Sequence, residues 1–330
     1  MRALQAVFVT CLLTVVIHLS VGDISSVPIV RDHPFTEGDG SYENPYGISD
    51  LAQLDEVRGY PTDHFVLLED IDASDTIDWE LGKGFEPIGL GYNESSQLFE
   101  GVPFRGSIDG MGHSIMNLHI NRGDVLSPGV HNYIGLISYN MGTLRNIRMV
   151  NAQVWGDFMT GSLCGLNNGM IDNCTATGNV EGNQYTGSLT GGNYRKIEDS
   201  KAVVDIKSGD FSGGIAGVNF GDIKNCEAVS QMETGSNSGG ICGESGVGEV
   251  VNCTFSGEIE GESKCGGILG NARSKGTIIS VRSCNVENSR ITGDNMVGGI
   301  AGMTVYTKIE DCGFSGTITG KGQSAGAVGV

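Results

Sequence analysis

One apolar position recurs down the second half of the chain at a nearly constant interval. It lies at the centre of a small-Gly-apolar-small-Gly segment, which is followed by a polar loop and an apolar-x-Asn-Cys element. Successive copies are 27, 26, 26, 26, 27, 32 and 27 residues apart. A fixed period in this range is typical of a solenoid, in which each unit buries its apolar face against its neighbours. The position falls at Leu136, Leu163, Leu189, Ile215, Ile241, Ile268 and Ile300, and Ala327 starts an eighth copy.

Two further apolar rows follow the same period, and we predict from all three an all-β fold. Three short strands per period, each with an inward apolar residue, describe one rung of a parallel β-helix with rungs of about 26 residues. The general rule for parallel crossovers predicts that it is right-handed. Gly-Gly pairs, β-branched residues and the lack of a 3.6-residue period exclude a helical solenoid. The second row is Leu144, Ile171, Ile197, Ile223, Val250, Val281 and Ile309, and the third is Val180, Ile206, Met232, Ile259, Ile291 and Ile318.

The segment before the repeats lacks a period and predicts a small lead-in. Ser49 or Asp50 can cap a short helix whose buried face carries Leu51 and Leu54. The stretch 65–68 predicts a buried strand, and 104–118 predicts the first coils of the β-helix. We therefore divide the chain into a signal peptide (1–22), a linker (23–37), an N-terminal cap with the first coils (38–131) and the repeats (132–330).

The first residues predict export. Arg2 precedes an apolar run from Ala6 to Leu19, and small residues at 20 and 22 complete the pattern of a secretory signal peptide. An uncleaved anchor is the alternative interpretation. No later segment approaches 18 consecutive apolar residues, so we expect no membrane span after signal cleavage. The expected location is therefore the cell surface or the extracellular medium.

The amino-acid composition indicates which class of partner the protein does not bind. The formal net charge is −19 at pH 7, and Gly accounts for 53 of the 330 residues without a collagen-like period. Such an acidic surface repels nucleic acid, so we expect no nucleic-acid partner. Gly at fixed repeat positions indicates tight corners and close backbone approach.

The repeat resembles a known motif. The segments 160–174 (TGSLCGLNNGMIDNC) and 212–226 (SGGIAGVNFGDIKNC) are similar to the GLUG motif, and the resemblance extends from about residue 38 to residue 330. It implies a β-helix of the kind found in exported microbial surface proteins. GLUG repeats also occur beside peptidase domains, and the sequence contains no such domain, so the resemblance is weak as a guide to function.

Cysteine is the first residue type that could carry chemistry. No CxxC pair is present, and Ile147 and Ser200 replace cysteine at the repeated position, which favours a packing role over zinc binding. Disulfides between neighbouring rungs, such as Cys226 with Cys253, are the alternative, because rung spacing suits the Cα separation. The repeated position holds Cys174, Cys226, Cys253, Cys284 and Cys312, and Cys164, Cys242 and Cys265 lie elsewhere.

A row of polar residues precedes these cysteines. Stacked amides can bond to one another along the solenoid, and Asn and Asp tolerate the left-handed backbone of a corner. A polysaccharide-binding role for this row is a further hypothesis. The row consists of Asn146, Asn173, Asp199, Asn225, Asn252, Ser283 and Asp311.

A search for catalytic and metal sites assigns no site residue and no cofactor. Only Asp172 and Glu198 are consecutive acids on one row, and such a pair in an acidic protein usually lies on a solvated face. No histidine falls inside the repeats, and nucleophile and phosphate-binding motifs are missing from the sequence. The acidic stretch 69–78 could hold calcium but lacks EF-hand spacing. Of three glycosylation sequons, only the one at Asn93 avoids the repeated rows.

These features predict an exported, non-enzymatic surface or extracellular protein whose β-helix is a stalk or an adhesive module. The alternatives are a carbohydrate-active β-helix enzyme, such as a polysaccharide lyase or hydrolase, and the N-terminal part of a larger surface protein. The partner could be a surface polysaccharide or another protein. The extra loop of the 32-residue copy, 271–276, is our predicted contact site because it brings two basic residues to an acidic molecule. The sequence after Ser324 starts a copy it does not complete, which predicts a longer natural protein, a capping partner or end-to-end self-association.

Overall fold

The computed structural model describes residues 33–89, 92–93, 98–99, 101–123 and 133–327. The chain divides into two compact units, 1–33 and 34–330, and every element given below belongs to the second. The predicted signal peptide lies outside the described residues. No helix in the described ranges is long and apolar enough to cross a membrane.

Three parallel sheets wind through the described part of this unit and confirm the predicted β-solenoid. Sheet A has ten strands, and all of its neighbours pair in parallel. Its order along the stack follows the order along the chain, as expected when each rung adds one strand. The strands of sheet A are Tyr46–Ile48, His64–Leu67, Ser107–Asp109, Thr143–Arg145, Met170–Asp172, Lys196–Glu198, Asp222–Lys224, Glu249–Val251, Ile279–Arg282 and Thr307–Glu310.

Sheet B is the longest face of the solenoid, and in several rungs its strand bends into a second segment. Its longest neighbours, residues 175–187 and 201–213, pair in register over almost their whole length. The strands of sheet B are Ile71–Asp72, Ser114–Met116, His119–Asn121, Arg148–Trp155, Phe158–Thr160, Thr175–Gly187, Lys201–Gly213, Glu227–Glu233, Ser238–Gly239, Thr254–Glu260, Ser263–Gly266, Asn285–Gly293, Asn295–Gly298, Gly313–Gly320 and Ser324–Ala325.

Sheet C closes each rung of the repeats. The segment that enters it carries the first apolar row, whose backbone bonds run from rung to rung. The Leu163 amide, for example, donates to the Leu189 carbonyl, and the Ile300 amide donates to the Ala327 carbonyl. The strands of sheet C are Ile137–Asn140, Cys164–Asn167, Thr190–Asn193, Ala216–Asn219, Cys242–Ser245, Leu269–Arg273 and Ala301–Val305.

The lead-in contains the remaining elements. An α-helix spans Leu51–Glu56, and its N-cap is Asp50, whose Oδ1 accepts a bond from the Gln53 amide at 2.8 Å. Two 3-10 helices follow at Val57–Gly59 and Ser74–Gly82, and the short strands Tyr92–Asn93 and Leu98–Phe99 form an antiparallel pair. The predicted helix and its cap are therefore confirmed.

The core consists of apolar columns, and the three predicted rows are among them. Ile171, Ile197 and Ile223 are direct neighbours in sheet A, and Val180, Ile206 and Met232 are direct neighbours in sheet B. The members of the three rows are buried except at the last rung, where Ile309 and Ile318 are partly buried and Ala327 is exposed. Because burying one such side chain is worth about 2 kcal/mol, stacking is the main source of cohesion between rungs.

A fourth apolar column is not predicted by the sequence analysis, because its side chains differ widely in size. It fills the first part of sheet B, and neighbouring glycines compensate for the larger members: a Cβ at Gly240 would lie 2.2 Å from the ring of Phe255. The sequence therefore shows no constant residue type there. The column is Ile115, Met149, Ala176, Ala202, Ala228, Phe255, Val286 and Phe314.

The stack also begins earlier than the predicted first coils at 104–118. Tyr46 and Phe65 are register partners in sheet A, and Phe65 pairs onward with Ile108. These aromatic residues occupy the inward column that Leu and Ile occupy in the repeats. Their separations along the chain are irregular, so a search for a fixed period does not find them.

Candidate functional site

The outward face of sheet A is covered by ion pairs. Arg145 Nε lies 2.7 Å from Asp109 Oδ2, and Lys196 Nζ lies 2.6 Å from Glu198 Oε1. Lys224 bridges two acids, with 3.0 Å to Asp222 and 3.1 Å to Glu249. Some of these ion pairs lie within one strand and others join adjacent strands, and each stabilises the sheet modestly.

Asp172 and Glu198 are indeed neighbours on this face. They are register partners, with Arg145 before them and Lys224 after them in the same column. Burial raises the pKa of Asp172, and the nearby charges of Glu198 and Asp199 add to the effect. Glu198 is held by Lys196, so the pair resembles a structural charge row more than a catalytic acid and base.

The predicted polar corner row is confirmed in conformation and in bonding. All seven members have a left-handed backbone, with φ between 48° and 54°. Asn173 Nδ2 donates to Asn146 Oδ1 at 2.7 Å, and Asn252 Nδ2 donates to Asn225 Oδ1 at 2.9 Å. These bonds between neighbouring side chains give the row a structural role in stacking the rungs.

A second asparagine row lies inside the solenoid, and the sequence analysis does not predict it. Asn140 Nδ2 donates to Asn167 Oδ1 at 2.8 Å, Asn167 to Asn193 at 2.9 Å and Asn193 to Asn219 at 2.8 Å, and all four residues are fully buried. The sequence does contain a pattern that marks this row, because each asparagine stands four residues after the aliphatic residue of the first row. This row ends at Ser245, which occupies the same position in the next rung.

The eight cysteines in the described residues are free thiols, and all but Cys312 are buried. The thiol of Cys174 contacts the carbonyl oxygens of Leu144 and Asp172, at 3.6 and 3.3 Å. Burial raises the pKa of Cys164 to about 12, and burial, together with the charges of Asp294 and Glu262, raises the pKa of Cys265 to about 12. Protonated thiols are poor metal ligands and poor nucleophiles, so these residues are core groups.

The acids at the start of the stretch 69–78 bond to the neighbouring rung of sheet B. Asp70 accepts a bond from the Ser114 amide at 2.7 Å, and Asp72 accepts from Asn117 Nδ2 at 3.1 Å. The bond from Asn117 lowers the pKa of Asp72. Within the described ranges no group of three or more His, Cys, Asp or Glu side chains is arranged to hold a metal ion. Asn93 lies in the short antiparallel pair, and its side chain falls outside the described residues.

An open depression with a volume of about 530 Å³ crosses the outward face of sheet A. It is lined by Tyr42, Arg105, Arg145, Asp172 and Arg195, among others. Arg105 and Arg195 form no ion pair with the described residues. Asp172 and the cations together make this depression polar.

A second depression is built by the 32-residue copy. Val281 follows Ala272 by nine positions, whereas Val250 follows the equivalent Ser245 by five. The extra residues form a loop at the corner between sheets C and A, and this loop contains most of the predicted stretch 271–276. Its amides bond to the following rung, Ser274 to the Val305 carbonyl and Ile279 to the Tyr306 carbonyl.

The loop encloses a pocket of about 590 Å³. Its other wall is Phe220, whose ring lies over Gly246: a Cβ at Gly246 would be 2.3 Å from that ring. Burial raises the pKa of Glu244, which also lines the pocket. The remaining polar wall comes from the loop itself, with Arg273, Ser274, Lys275 and Thr277.

Comparison with known proteins also identifies the repeat as the GLUG motif. The family model "The GLUG motif" matches residues 156–181. Halomucin of Haloquadratum walsbyi is 37% identical over 151 residues, 44% of this chain and 2% of that protein. A protein of Evansella cellulosilytica assigned as a Gly-rich membrane protein is 38% identical over 151 residues, 42% of this chain and 15% of that protein. The chain therefore corresponds to a small part of either relative.

A solved structure supports the architecture. A protein of Bacteroides ovatus assigned as an immunoglobulin A1 protease superposes with a TM-score of 0.54 at 23% identity, over 87% of this chain and 80% of that one. At this identity the likeness establishes the fold alone. The chain is thus a parallel β-solenoid that carries the GLUG motif, as its sequence predicted.

Proposed function

We propose that this chain is an exported surface or extracellular protein that acts through contact and not through catalysis, as an adhesive or structural module. The observation that carries the proposal is that the polar side chains on the outward faces bond to one another. Their acids and amides are bonded to one another in rows, as between Asn173 and Asn146 or between Lys224 and Glu249. A face satisfied in this way is stable and extended, and its adjacent acids Asp172 and Glu198 lie in a charge row between Arg145 and Lys224.

The relatives support the same function. Halomucin and the Gly-rich membrane protein have names that fit the cell surface or its surroundings. The predicted signal peptide at 1–22 and the net charge of −19 suit an exported solenoid. A surface polysaccharide or another protein is the partner that we propose for it.

The second function is a carbohydrate-active enzyme, and one observation favours it. Asp172 has a raised pKa, stands beside Glu198 and lines the depression on sheet A. A carboxyl group of this kind can act as a general acid. The name of the Bacteroides ovatus protein indicates a different chemistry, proteolysis, and the fold that it shares brings no catalytic residue to this chain.

Two measurements on the same protein test the proposal. Acidic and neutral polysaccharides are incubated with the chain, with and without Ca²⁺, and new reducing ends are counted. Retention on beads that carry the same polysaccharides is recorded in parallel. We expect retention without turnover. Reproducible turnover that Asp172→Ala or Glu198→Ala abolishes would contradict the proposal and establish the enzyme.

A further inference from the structure

The pocket under the inserted loop differs from the rest of the surface in charge. Most cations of sheet A lie in ion pairs, whereas Arg273 and Lys275 form none with the described residues and are exposed. Both line the pocket. Arg273 acts on the charge of Glu244 across the pocket, but the two cations outnumber this one acid, so the pocket attracts an anionic group in a protein of net charge −19.

The opposite wall of the pocket is aromatic. Phe220 is 38% exposed, and Tyr194 of the preceding rung is 42% exposed. Their ring centroids are 5.1 Å apart, with an angle of 31° between the planes. The two rings therefore form a small platform that continues from one rung to the next. Such a platform favours a flat ligand with an apolar face over a compact anion such as phosphate.

Glu244 lines the pocket, and its neighbour Asn271 carries one buried oxygen without a partner among the described residues. Glu244 and Asn271 are adjacent in sheet C, and the Asn271 amide bonds to Glu244. Asn271 is 5% exposed, and its Oδ1 has no hydrogen-bond partner among the described residues. A buried acceptor without a donor costs free energy, which a ligand hydroxyl entering beside Glu244 would recover.

We propose that this pocket binds a uronic-acid unit of an acidic polysaccharide. The ring of the sugar stacks on Phe220, its hydroxyl groups bond to Glu244 and Asn271, and its carboxylate pairs with Arg273 and Lys275. A neutral sugar leaves the cations unpaired, and an acidic peptide lacks the adjacent hydroxyl groups. The proposal deepens the contact function proposed above and rests on it.

The loop arrangement suits recognition of one unit within a polysaccharide. The pocket volume of about 590 Å³ falls in the ordinary range for small ligands, and the pocket is open on one side. Arg273 pairs with Val305 in sheet C and the Ser274 amide bonds to the Val305 carbonyl, so the backbone between the two cations is held against the next rung. Because the insertion occurs in a single copy of the repeat, we expect one site per chain.

The test is calorimetric titration of the full chain with oligogalacturonate, a chain of uronic-acid units, and with a dextran of equal length. We expect binding of the first and none of the second. The double variant R273Q/K275Q should bind at least about tenfold more weakly, since the carboxylate loses both of its charged partners. Phe220→Leu should weaken binding several-fold and leave its salt dependence unchanged.

The matched control is the double variant R105Q/R195Q, which removes two unpaired arginines from the depression on sheet A. It should bind like the unmodified chain. If R273Q/K275Q binds normally, or if only the control loses affinity, the site is wrong although the contact function stands. Failure of the unmodified chain to bind oligogalacturonate also overturns the site. Release of reducing ends, in contrast, would contradict the non-enzymatic function and leave the site in place.

Discussion

Asn167 donates a hydrogen bond from Nδ2 to Oδ1 of Asn193, 2.9 Å away in the next rung, and both side chains are fully buried. Oδ1 of Asn167 accepts from Asn140 in turn, and also from the Gly169 amide at 3.2 Å. The Asn167 amide thus binds both neighbours and its own turn. The row fixes the register of successive rungs by polar bonds, whereas the apolar columns supply most of the burial.

We expect Asn167→Ala to destabilise the protein by about 2–4 kcal/mol, because the buried Asn140 donor and Asn193 acceptor lose their 2.8 and 2.9 Å partners and keep only contacts of 3.5 and 3.4 Å. The matched control is Asn173→Gly in the exposed row, where glycine accepts the positive φ and water replaces the lost bonds. It should change stability by less than about 1 kcal/mol. Urea unfolding followed by circular dichroism measures both. Equal losses in the two variants would show that burial of the row does not matter.

Ile223→Asp should cost several kcal/mol or open the solenoid locally, since it places an unpaired carboxylate in the fully buried column of sheet A. Repeat arrays are coupled mainly between neighbours, so the loss of hydrogen-exchange protection should centre on the adjacent rungs. Val203→Asp, a like change at a valine that is 43% exposed, is the control and should have little effect. Uniform loss of protection along all rungs would argue against nearest-neighbour coupling.

The thiols should resist alkylation while the protein is folded. Burial raises the pKa of Cys164 to about 12, so at pH 8 the reactive thiolate is scarce as well as shielded. Cys312, the half-buried exception, should react first with iodoacetamide, and the remaining seven of the described cysteines only after denaturation. Mass spectrometry of peptides gives the order. A Cys284–Cys312 disulfide would instead appear as two residues that stay unmodified until a reductant is added.

Glu244→Gln should stabilise the protein at neutral pH. Burial raises the folded-state pKa of Glu244, so its ionised form is less favourable in the folded state than in the unfolded chain. The contribution of Glu244 to stability is therefore highest below the unfolded pKa and is lost as pH rises through the folded pKa. Thermal unfolding across pH 3–8 should show the variant's advantage at neutral pH and its disappearance in acid. An advantage that does not depend on pH would exclude the charge as the cause.

The sequence predicted those features that repeat with constant chemistry. Ile171, Ile197 and Ile223 are identical in type and equally spaced, so period alone places them in one column. The left-handed corner at Asn225 also follows from residue type. The column through Ala228 and Phe255 was not predictable in this way, because the nearby Gly240 balances its change of size.

The candidate site was predicted only in part. The length of the 32-residue copy located the loop and its two cations, Arg273 and Lys275. It did not show that Phe220, two rungs earlier, faces them, or that the Asn271 carbonyl group is left without a donor among the described residues. Those relationships depend on how successive rungs superpose at one corner, which a single sequence specifies only after the register is known.

The buried asparagine row has a consequence for how such a protein can change in length. A tandem duplication of the 26 residues 167–192, from one buried amide up to the next at Asn193, inserts one donor and one acceptor together. Because every copied amide meets a partner of its own kind, lengthening or shortening the array by whole units leaves no asparagine of this row unmatched. Recombination between copies can therefore vary the reach of the molecule without compensating mutations, whereas gain or loss of part of a unit strands an amide in the interior.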